Sequence, residues 1–310
     1  MQKARAKISW LPYAVLIFSI VALSMSAILV RFANAPGPVN GFYRTLTATT
    51  LMVIPFAIQS KRSSQTRPVT LRAAAMAAMA GFFFAINLAA WNTGALMTAA
   101  ANVTLLGNTS VIWVPLAGLL LFNERLRVEF WIGLAVALVG AIIILGQDLL
   151  SHADLGLGDA LGLFASVAYT VYILMMERAR TKLSALVAWW FSTAASCVTL
   201  LAITLMLRQP LSGYEIYSYV IFVVMALVIQ ISGFLSMNFV LGFLPASLIS
   251  TSMLLQPVLT AIFAVPMLGQ GIGMVQALGS VLVLGGLIIV HLSRNRSIRL
   301  KTDRTRSTAD

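Results

Sequence analysis

Long apolar segments separated by short polar stretches recur along the whole chain. Ten of these segments have roughly the 17–25 residues that an α-helix needs to cross the hydrocarbon core of a bilayer. The fourth and ninth segments are longer than a bilayer requires, so we expect each to tilt, kink or extend beyond the lipid. The pattern therefore predicts ten transmembrane helices, over residues 10–32, 38–58, 71–91, 95–122, 128–146, 158–176, 183–207, 217–236, 240–268 and 272–292.

Composition supports a membrane location and excludes a water-soluble fold. The 310-residue chain is 60% hydrophobic and 10% charged, whereas a soluble domain has about 25% charged residues. No segment is polar enough to form a separate soluble domain, so we expect one all-α, polytopic membrane bundle. The first apolar segment is longer than the roughly 7–15 apolar residues of a signal peptide, and we therefore expect it to be retained.

The net charge of +12 is concentrated on one side of the predicted bundle. All but three of the 21 Lys and Arg residues lie at the N-terminus, in loops of that side or in the C-terminal tail; the exceptions are Arg31, Arg44 and Arg208. The positive-inside rule then places both termini in the cytoplasm. The basic surplus predicts contact with anionic lipid rather than with nucleic acid, and in a bacterial host the membrane is the inner one.

Residue types that most enzymes and metal sites need are scarce in this chain. One cysteine, Cys197, and two histidines, His152 and His291, exclude a disulfide framework and argue against a metal cluster. The nine carboxylates fall in loops, in tails or at span ends, which argues against a proton relay at the membrane midplane. The sequence contains no P-loop for ATP. We therefore expect neither an enzyme nor a bound cofactor.

The two halves of the chain resemble each other when one is shifted by 146 residues. This shift places Gly133 on Gly279 and Gly140 on Gly286, and such glycines permit close approach to a neighbouring helix. We predict two five-helix repeats, over residues 10–146 and 158–292, followed by a basic cytoplasmic tail over residues 293–310. Because five is odd, the second repeat enters the membrane from the opposite side. Inverted repeats are typical of secondary transporters, which bind substrate near the midplane between the halves.

Several short motifs occur in order along the two halves. They are the basic end of the first helix at Arg31, the proline and arginine of Pro38 and Arg44, the small-residue run 95–101, Leu-Phe-Asn-Glu-Arg over 121–125, the two glycine pairs, Leu-Pro-Ala-Ser over 244–247, and Gln256-Pro257. On these motifs, residues 10–292 resemble the ten-helix EamA-type transporters of the drug/metabolite transporter superfamily. The resemblance implies a carrier of amino acids, related metabolites or drugs, with export the commoner direction.

Two positions depart from the pattern of that family. Val111 stands where a proline is common, and the nearest proline, Pro115, comes one helical turn later. Gln270 stands where an acidic residue is expected, opposite Glu124 of the first half. We therefore expect the fourth helix to bend at a different depth. The residues expected to shape or gate the bundle are Glu124, Pro115, Pro257, Gly133, Gly140, Gly279 and Gly286.

Polar side chains inside spans are the candidates for contact with a substrate, because in hydrocarbon they face the bundle interior or a water-filled path. Arg44 is the only cation well inside a predicted span; it either meets a polar or carboxylate group of the substrate or snorkels to the outer headgroups. For the amides, hydroxyls and deep aromatic residues, hydrogen bonding or packing between helices is the alternative. These further candidates are Tyr43, Asn87, Asn102, Asn108, Trp113, Tyr169, Trp190, Ser247, Ser250 and Gln256.

Residues at the ends of predicted spans receive simpler assignments. Trp10, Trp91 and Trp131 are expected to anchor the bundle at the membrane interfaces. Glu124 is expected to close the cytoplasmic end of the fourth helix in an ion pair with Arg125 or Arg127.

We expect alternating access by the two halves, as a facilitator, exchanger or weakly coupled exporter of small organic metabolites. The aromatic residues and the single cation Arg44 favour a zwitterionic amino acid. A carrier of nucleotide-sugars or sugar phosphates is the main alternative, although phosphate recognition requires several cations. A lipid-modifying enzyme is less favoured, because no acid–base pair, metal set or activated nucleophile occurs near the interface. The expected partners are the substrate and the bilayer, and the expected state is a monomer or homodimer.

Overall fold

The computed structural model describes residues 10–66, 69–97, 100–122, 124, 126–151, 156–268 and 273–307, without the side chains of residues 63–66, 100–102, 104, 122, 145–151, 264–268 and 294–307. Regular structure within these ranges is helical throughout and includes a π-helical segment, Ala226–Leu235. The α-helices are α1 (Leu11–Ser24), α2 (Ser26–Phe32), α3 (Gly37–Leu51), α4 (Val53–Thr66), α5 (Leu71–Met97), α6 (Ala100–Gly107), α7 (Ser110–Phe122), α8 (Val128–Ser151), α9 (Leu157–Arg180), α10 (Ala185–Met206), α11 (Ile216–Met225), α12 (Ser236–Val240), α13 (Ala246–Ser252), α14 (Leu255–Leu268) and α15 (Met274–Ser307).

Many of these helices are suited to a membrane. Two apolar helices, Leu105–Leu121 and Val128–Ile144, are short for a bilayer span, with 10–17 residues. The predicted all-α, multi-pass membrane architecture is therefore confirmed, whereas the count of ten spans stays a prediction. Among the described residues, seven helical stretches are long and apolar enough to cross a bilayer: Leu11–Phe32, Leu71–Met97, Leu157–Arg180, Ala185–Met206, Ile216–Val240, Ala246–Phe263 and Met274–Ser293.

The predicted second span differs most from a simple apolar helix. Its residues form α3 and α4, which are separated at Met52. The sequence of α3, GPVNGFYRTLTATTL, contains Arg44, one asparagine and four threonines, which explains why it falls short of the hydropathy of the other spans. Nine of the fifteen residues of α3 are nevertheless buried, including Arg44, so the polar side of this helix faces protein.

Three further predicted spans, the first, the fourth and the ninth, are also interrupted. The first is split at Met25, between α1 and α2. The fourth is split between α6 and α7, and its first residues, 95–97, belong to α5 instead. In the ninth, the chain turns over residues 241–245 and then forms α13 and α14, with the break at residues 253–254. The fourth and ninth segments, which we expected to tilt, kink or extend beyond the lipid, are thus each divided into separate helices.

Local hydrogen bonding explains the interruptions. At the first break the hydroxyl of Ser24 donates to the carbonyl of Val21 at 2.7 Å. At the second, the hydroxyl of Thr109 lies 2.6 Å from the carbonyl oxygen of Leu106. Such bonds compete with the regular helix ladder. At the third, Pro257 has no N–H with which to bond the carbonyl of Met253, four residues earlier.

The π-helical segment allows α1 to approach closely. The hydroxyl of Ser19 donates to the carbonyl of Gly233 at 2.9 Å, and a Cβ atom at Gly233 would lie 2.7 Å from Cδ2 of Leu23. Single-turn π-helical insertions are frequent at functional sites, and this longer segment contributes Phe234 to the cavity described below.

Two pairs of glycines join α8 to α15 in an antiparallel arrangement. A Cβ atom at Gly133 would lie 2.7 Å from the carbonyl oxygen of Gly286, and a Cβ atom at Gly140 would lie 2.6 Å from that of Gly279. The predicted close approach of these glycines to a neighbouring helix therefore occurs. The two glycines of α8 contact the two glycines of α15. Small residues in membrane helices permit this backbone contact, which larger side chains would prevent.

Candidate functional site

A cavity of about 100 Å³ lies where the interrupted helices meet. It is the candidate site of the part of the chain that the structure describes, since it combines polar groups with an apolar wall, as ligand sites usually do. The residues that line it are Leu23, Ser26, Arg44, Asn87, Trp91, Gly107, Asn108, Ser110, Tyr169, Phe234, Met253 and Gln256.

Most of the lining comes from helix interruptions. Leu23 and Ser26 lie on either side of the break between α1 and α2. Gly107 ends α6, Asn108 follows it and Ser110 begins α7, while Met253 and Gln256 lie on either side of the break between α13 and α14. Backbone polar groups released at such breaks are tolerated within a membrane only where protein or a water-filled cavity satisfies them. Broken helices around a central cavity are a characteristic arrangement of substrate sites in transporters.

Arg44 projects from α3 into this cavity and is 1% exposed. Its Nε and Nη2 atoms have no hydrogen-bond partner within the described structure. The guanidinium carbon lies 6.0 Å from the centroid of the Phe234 ring, a distance at which a cation is attracted to an aromatic face. The side chain is thus held in the interior of the protein, which removes the alternative that it snorkels outward.

Three other predicted residues on the cavity wall are oriented by hydrogen bonds. Asn87 donates from Nδ2 to the carbonyl of Ala165 at 2.9 Å. The hydroxyl of Tyr169 lies 3.3 Å from the sulfur of Met237, and Nε2 of Gln256 lies 3.3 Å from the sulfur of Met253.

Asn108 differs from these three, because its Nδ2 atom has no partner within the described structure. Two residues of the cavity lining, Arg44 and Asn108, therefore carry buried donor groups that have no acceptor within the described structure.

Several predicted binding residues lie away from the cavity. Tyr43 donates a hydrogen bond to the carbonyl of Leu211 and stacks on Phe222 at a centroid distance of 4.9 Å. Trp190 stacks on Phe56 at 3.9 Å and donates to the carbonyl of Thr49 at 3.1 Å. These contacts are packing between helices, the alternative stated above.

The remaining predicted binding residues are also outside the cavity lining. Trp113 is exposed on the surface of the bundle. Ser247 and Ser250 are buried within α13, where the hydroxyl of Ser250 donates to the carbonyl of Ser247 at 3.1 Å. The side chain of Asn102 lies outside the described residues.

Sequence reasoning missed other parts of the wall. Trp91 lines the cavity, although its position near a span end predicted an interfacial anchor. A signal was available, because Asn87 and Trp91 are four residues apart and therefore share one face of α5. Phe234 was missed because nothing in the hydropathy pattern indicates the π-helical segment that carries it.

The residues predicted to shape the bundle have identifiable contacts. The backbone N–H of Glu124 donates to the carbonyl of Gly118 at 3.0 Å, just beyond α7. Arg127 pairs with Glu129 at 2.6 Å rather than with Glu124, and Arg125 lies outside the described residues. Pro115 lies inside α7. Among the described residues, no group of three His, Cys, Asp or Glu side chains is placed to hold a metal ion.

Comparisons with known proteins agree with this architecture. A curated "Uncharacterized transporter" of Clostridium kluyveri is 23% identical over 217 residues, which is 68% of this chain and 70% of that protein. A solved crystal structure, described only as that of a protein, superposes with a TM-score of 0.74 at 17% identity and covers 92% of this chain and 98% of its own; this likeness shows the fold. The model of the EamA-like transporter family matches residues 7–146 and again residues 156–292. The chain therefore belongs to the EamA-like transporter family.

Proposed function

We propose that this protein is a secondary transporter that moves small organic metabolites, such as amino acids or related compounds, by alternating access, with export as the direction of flux. The observation that carries the proposal is the central cavity in which a buried, unpaired Arg44 meets three helix interruptions. Transporters place substrate sites at such interruptions near the interface between their halves. Family membership supports the broad function, and the cavity supplies a specific place for the substrate.

The proposal includes two inverted five-helix repeats, and the helix boundaries support it. With the shift of 146 residues, the first residue of α1, Leu11, corresponds to the first residue of α9, Leu157. The same shift relates the start of α6 to that of α13 and the start of α8 to that of α15. By this correspondence α3 and α4 match α10, and α5 matches the stretch from α11 to α12.

The packing of helices also follows a two-fold relation between the proposed repeats. α5 packs on α9, and the corresponding stretch from α11 to α12 packs on α1. Helices α8 and α15, which correspond to each other, pack together, as do α3 and α10. In the glycine contacts of α8 and α15, the contact between Gly133 and Gly286 becomes that between Gly279 and Gly140 under the shift. Each of these contacts has its counterpart under the shift of 146 residues, which supports a pseudo-two-fold axis in the membrane plane.

The cavity favours this function over its alternatives. A nucleotide-sugar or sugar phosphate needs several cations around its phosphate groups, and Arg44 is the one cation among the lining residues. A lipid-modifying enzyme needs an acid–base pair, a metal or an activated nucleophile. The lining, which lies wholly within the described residues, contains no histidine, cysteine or acidic side chain.

Transport in proteoliposomes tests the proposal. Labelled amino acids, organic acids, sugars and nucleosides are offered with and without a proton gradient. We expect saturable flux of one class, and a fall on the order of ten-fold in Arg44→Gln, because a charge-assisted contact with the substrate is lost. The matched control is Arg62→Gln, which removes an exposed cation of α4. Absence of flux across the panel, or equal flux in both variants, would contradict the proposal.

We also propose that both termini lie in the cytoplasm, with the protein in the inner membrane of a bacterial host and anionic lipid at its basic face. Cysteine labelling tests this orientation, because the chain has only Cys197. In a Cys197→Ser background, Ser212→Cys in the loop before α11 is expected to react with an impermeant maleimide in intact cells. Thr181→Cys, after α9, is expected to react only after permeabilisation. Both positions are exposed, so the opposite result would reverse the orientation.

A further inference from the structure

The charges around the cavity do not balance. Arg44 is a fully buried cation, and none of the residues that line the cavity carries a carboxylate. The acidic side chains that the structure describes lie in loops or near helix ends, at Glu124, Glu129, Asp159, Glu177 and Glu215. Burial of a charge without a partner is costly. The counter-ion that this cation lacks is therefore expected to come from the ligand.

The unpaired atoms of Arg44 define the shape of that counter-ion. Nε and Nη2, the two atoms without partners, lie on the same edge of the guanidinium. Two parallel N–H groups on one edge match the two oxygens of a carboxylate, and this bidentate contact is both stronger and more directional than a single hydrogen bond. Asn108 adds an unpartnered N–H donor on the same wall, whereas a cationic ligand would find no carboxylate there.

We propose that the cavity binds a small monocarboxylate of net charge −1, whose carboxylate accepts hydrogen bonds from Nε and Nη2 of Arg44 and whose apolar part lies against Leu23, Trp91 and Phe234. This inference rests on the proposed transport function and names its cargo class. It replaces the earlier preference for a zwitterionic amino acid, because an ammonium group beside Arg44 would add a second cation to a cavity with no acidic side chain.

The size of the cavity suits a small acid. Its volume is about 100 Å³, which is small beside the roughly 300–1,000 Å³ of clefts that hold drug-sized ligands. A branched five-carbon acid is a suitable probe, because it has one carboxylate and an apolar end.

Calorimetric titration of the purified full-length protein with four probes of matched shape tests the inference. Isovalerate is an anion at neutral pH, isovaleramide is its neutral isostere, valine adds an ammonium group to the same skeleton, and isobutylamine is a cation. We expect isovalerate to bind about ten-fold or more tightly than the amide, since charge-assisted hydrogen bonds are lost in the amide. Valine is expected to bind more weakly than isovalerate, and isobutylamine is expected not to bind.

Variants at Arg44 provide the matched controls. Arg44→Gln is expected to bind the acid and the amide equally. Arg44→Lys keeps the charge but loses the bidentate pair of N–H donors, so it is expected to retain only part of the preference for the acid over the amide. Gel-filtration elution and thermal unfolding establish that both variants are folded. If Arg44→Gln does not fold, the comparison of acid with amide in the wild-type protein still decides the question.

The results separate this inference from the transport proposal. Equal binding of the acid and the amide, valine binding as tightly as isovalerate, or no binding of any probe would overturn the monocarboxylate inference. Counterflow of the same compounds in proteoliposomes is measured in parallel. Binding of isovalerate without flux would contradict the transport proposal but support the monocarboxylate site. Arg44-dependent flux of zwitterions alone would contradict the monocarboxylate site but support the transport proposal.

Discussion

Replacement of Gly286 by leucine is expected to separate α8 from α15 and to destabilise the folded protein severely. A Cβ atom at Gly286 would lie 2.5 Å from the backbone nitrogen of Ala137 and 2.5 Å from the carbonyl oxygen of Gly133. Backbone atoms of a packed helix cannot move aside by rotation of a side chain, so the two helices themselves must shift. Overpacking of a tight core costs about 1–3 kcal/mol and occasionally more, and we expect a loss of about 3 kcal/mol or more here.

The adjacent glycine offers a control within the same turn of α15. A Cβ atom at Gly285 would have no other atom within 4 Å, so Gly285→Leu is expected to leave the unfolding temperature almost unchanged. The measurement is thermal unfolding of the two purified variants, together with gel-filtration elution. A similar unfolding temperature in both variants would show that the glycine contact between α8 and α15 does not determine stability.

Gly107→Leu is expected to reduce transport strongly while the protein remains folded. Gly107 lines the cavity, and a Cβ atom there would lie 2.9 Å from Cδ1 of Trp91. The contacted atoms belong to the Trp91 side chain and not to a backbone, so we expect the ring to be displaced and the leucine and the ring to occupy the space of the substrate. We expect substrate flux to fall on the order of ten-fold or more, which corresponds to at least about 1.4 kcal/mol of lost binding.

Gly285→Leu again supplies the control, because it adds the same side chain to a membrane helix away from the cavity. Flux in proteoliposomes and elution from gel filtration are compared between the two variants. Unchanged flux in a folded Gly107→Leu variant would show that substrate does not pass through this cavity.

The extent of the membrane helices was predictable from hydropathy, and their interruptions were largely not. Apolar runs locate α9 and α10 within a few residues, because membrane insertion depends on the summed apolar character of a segment. The break at Met25 depends on how the Ser24 hydroxyl competes for the carbonyl of Val21, and serines occur in many unbroken helices. Pro257 was a clearer signal, since a proline removes a helix hydrogen bond wherever it occurs.

The candidate site was predicted in part, and helix geometry explains the successes and failures. Arg44 and Tyr43 were both assigned to the substrate path, yet consecutive residues of a helix project about 100° apart. Arg44 faces the cavity, and Tyr43 consequently packs on Phe222 in a separate aromatic group. Asn87, Asn108 and Gln256 reach the cavity, because amides are costly to leave facing lipid. Amino-acid type alone did not distinguish Trp113 from Trp91, since tryptophan is stable both at lipid-facing surfaces and in pockets.

The glycine contact between α8 and α15 also bears on self-association. Glycine-rich faces of membrane helices commonly mediate dimerisation, but here the chain covers its own glycine face internally, with Gly133 against Gly286 and Gly140 against Gly279. A second copy of the protein cannot reach these four glycines while α8 and α15 remain in contact. On α15 the outward side carries Leu278, Val281 and Ile288, all exposed, so the surface that this helix turns away from α8 is largely aliphatic.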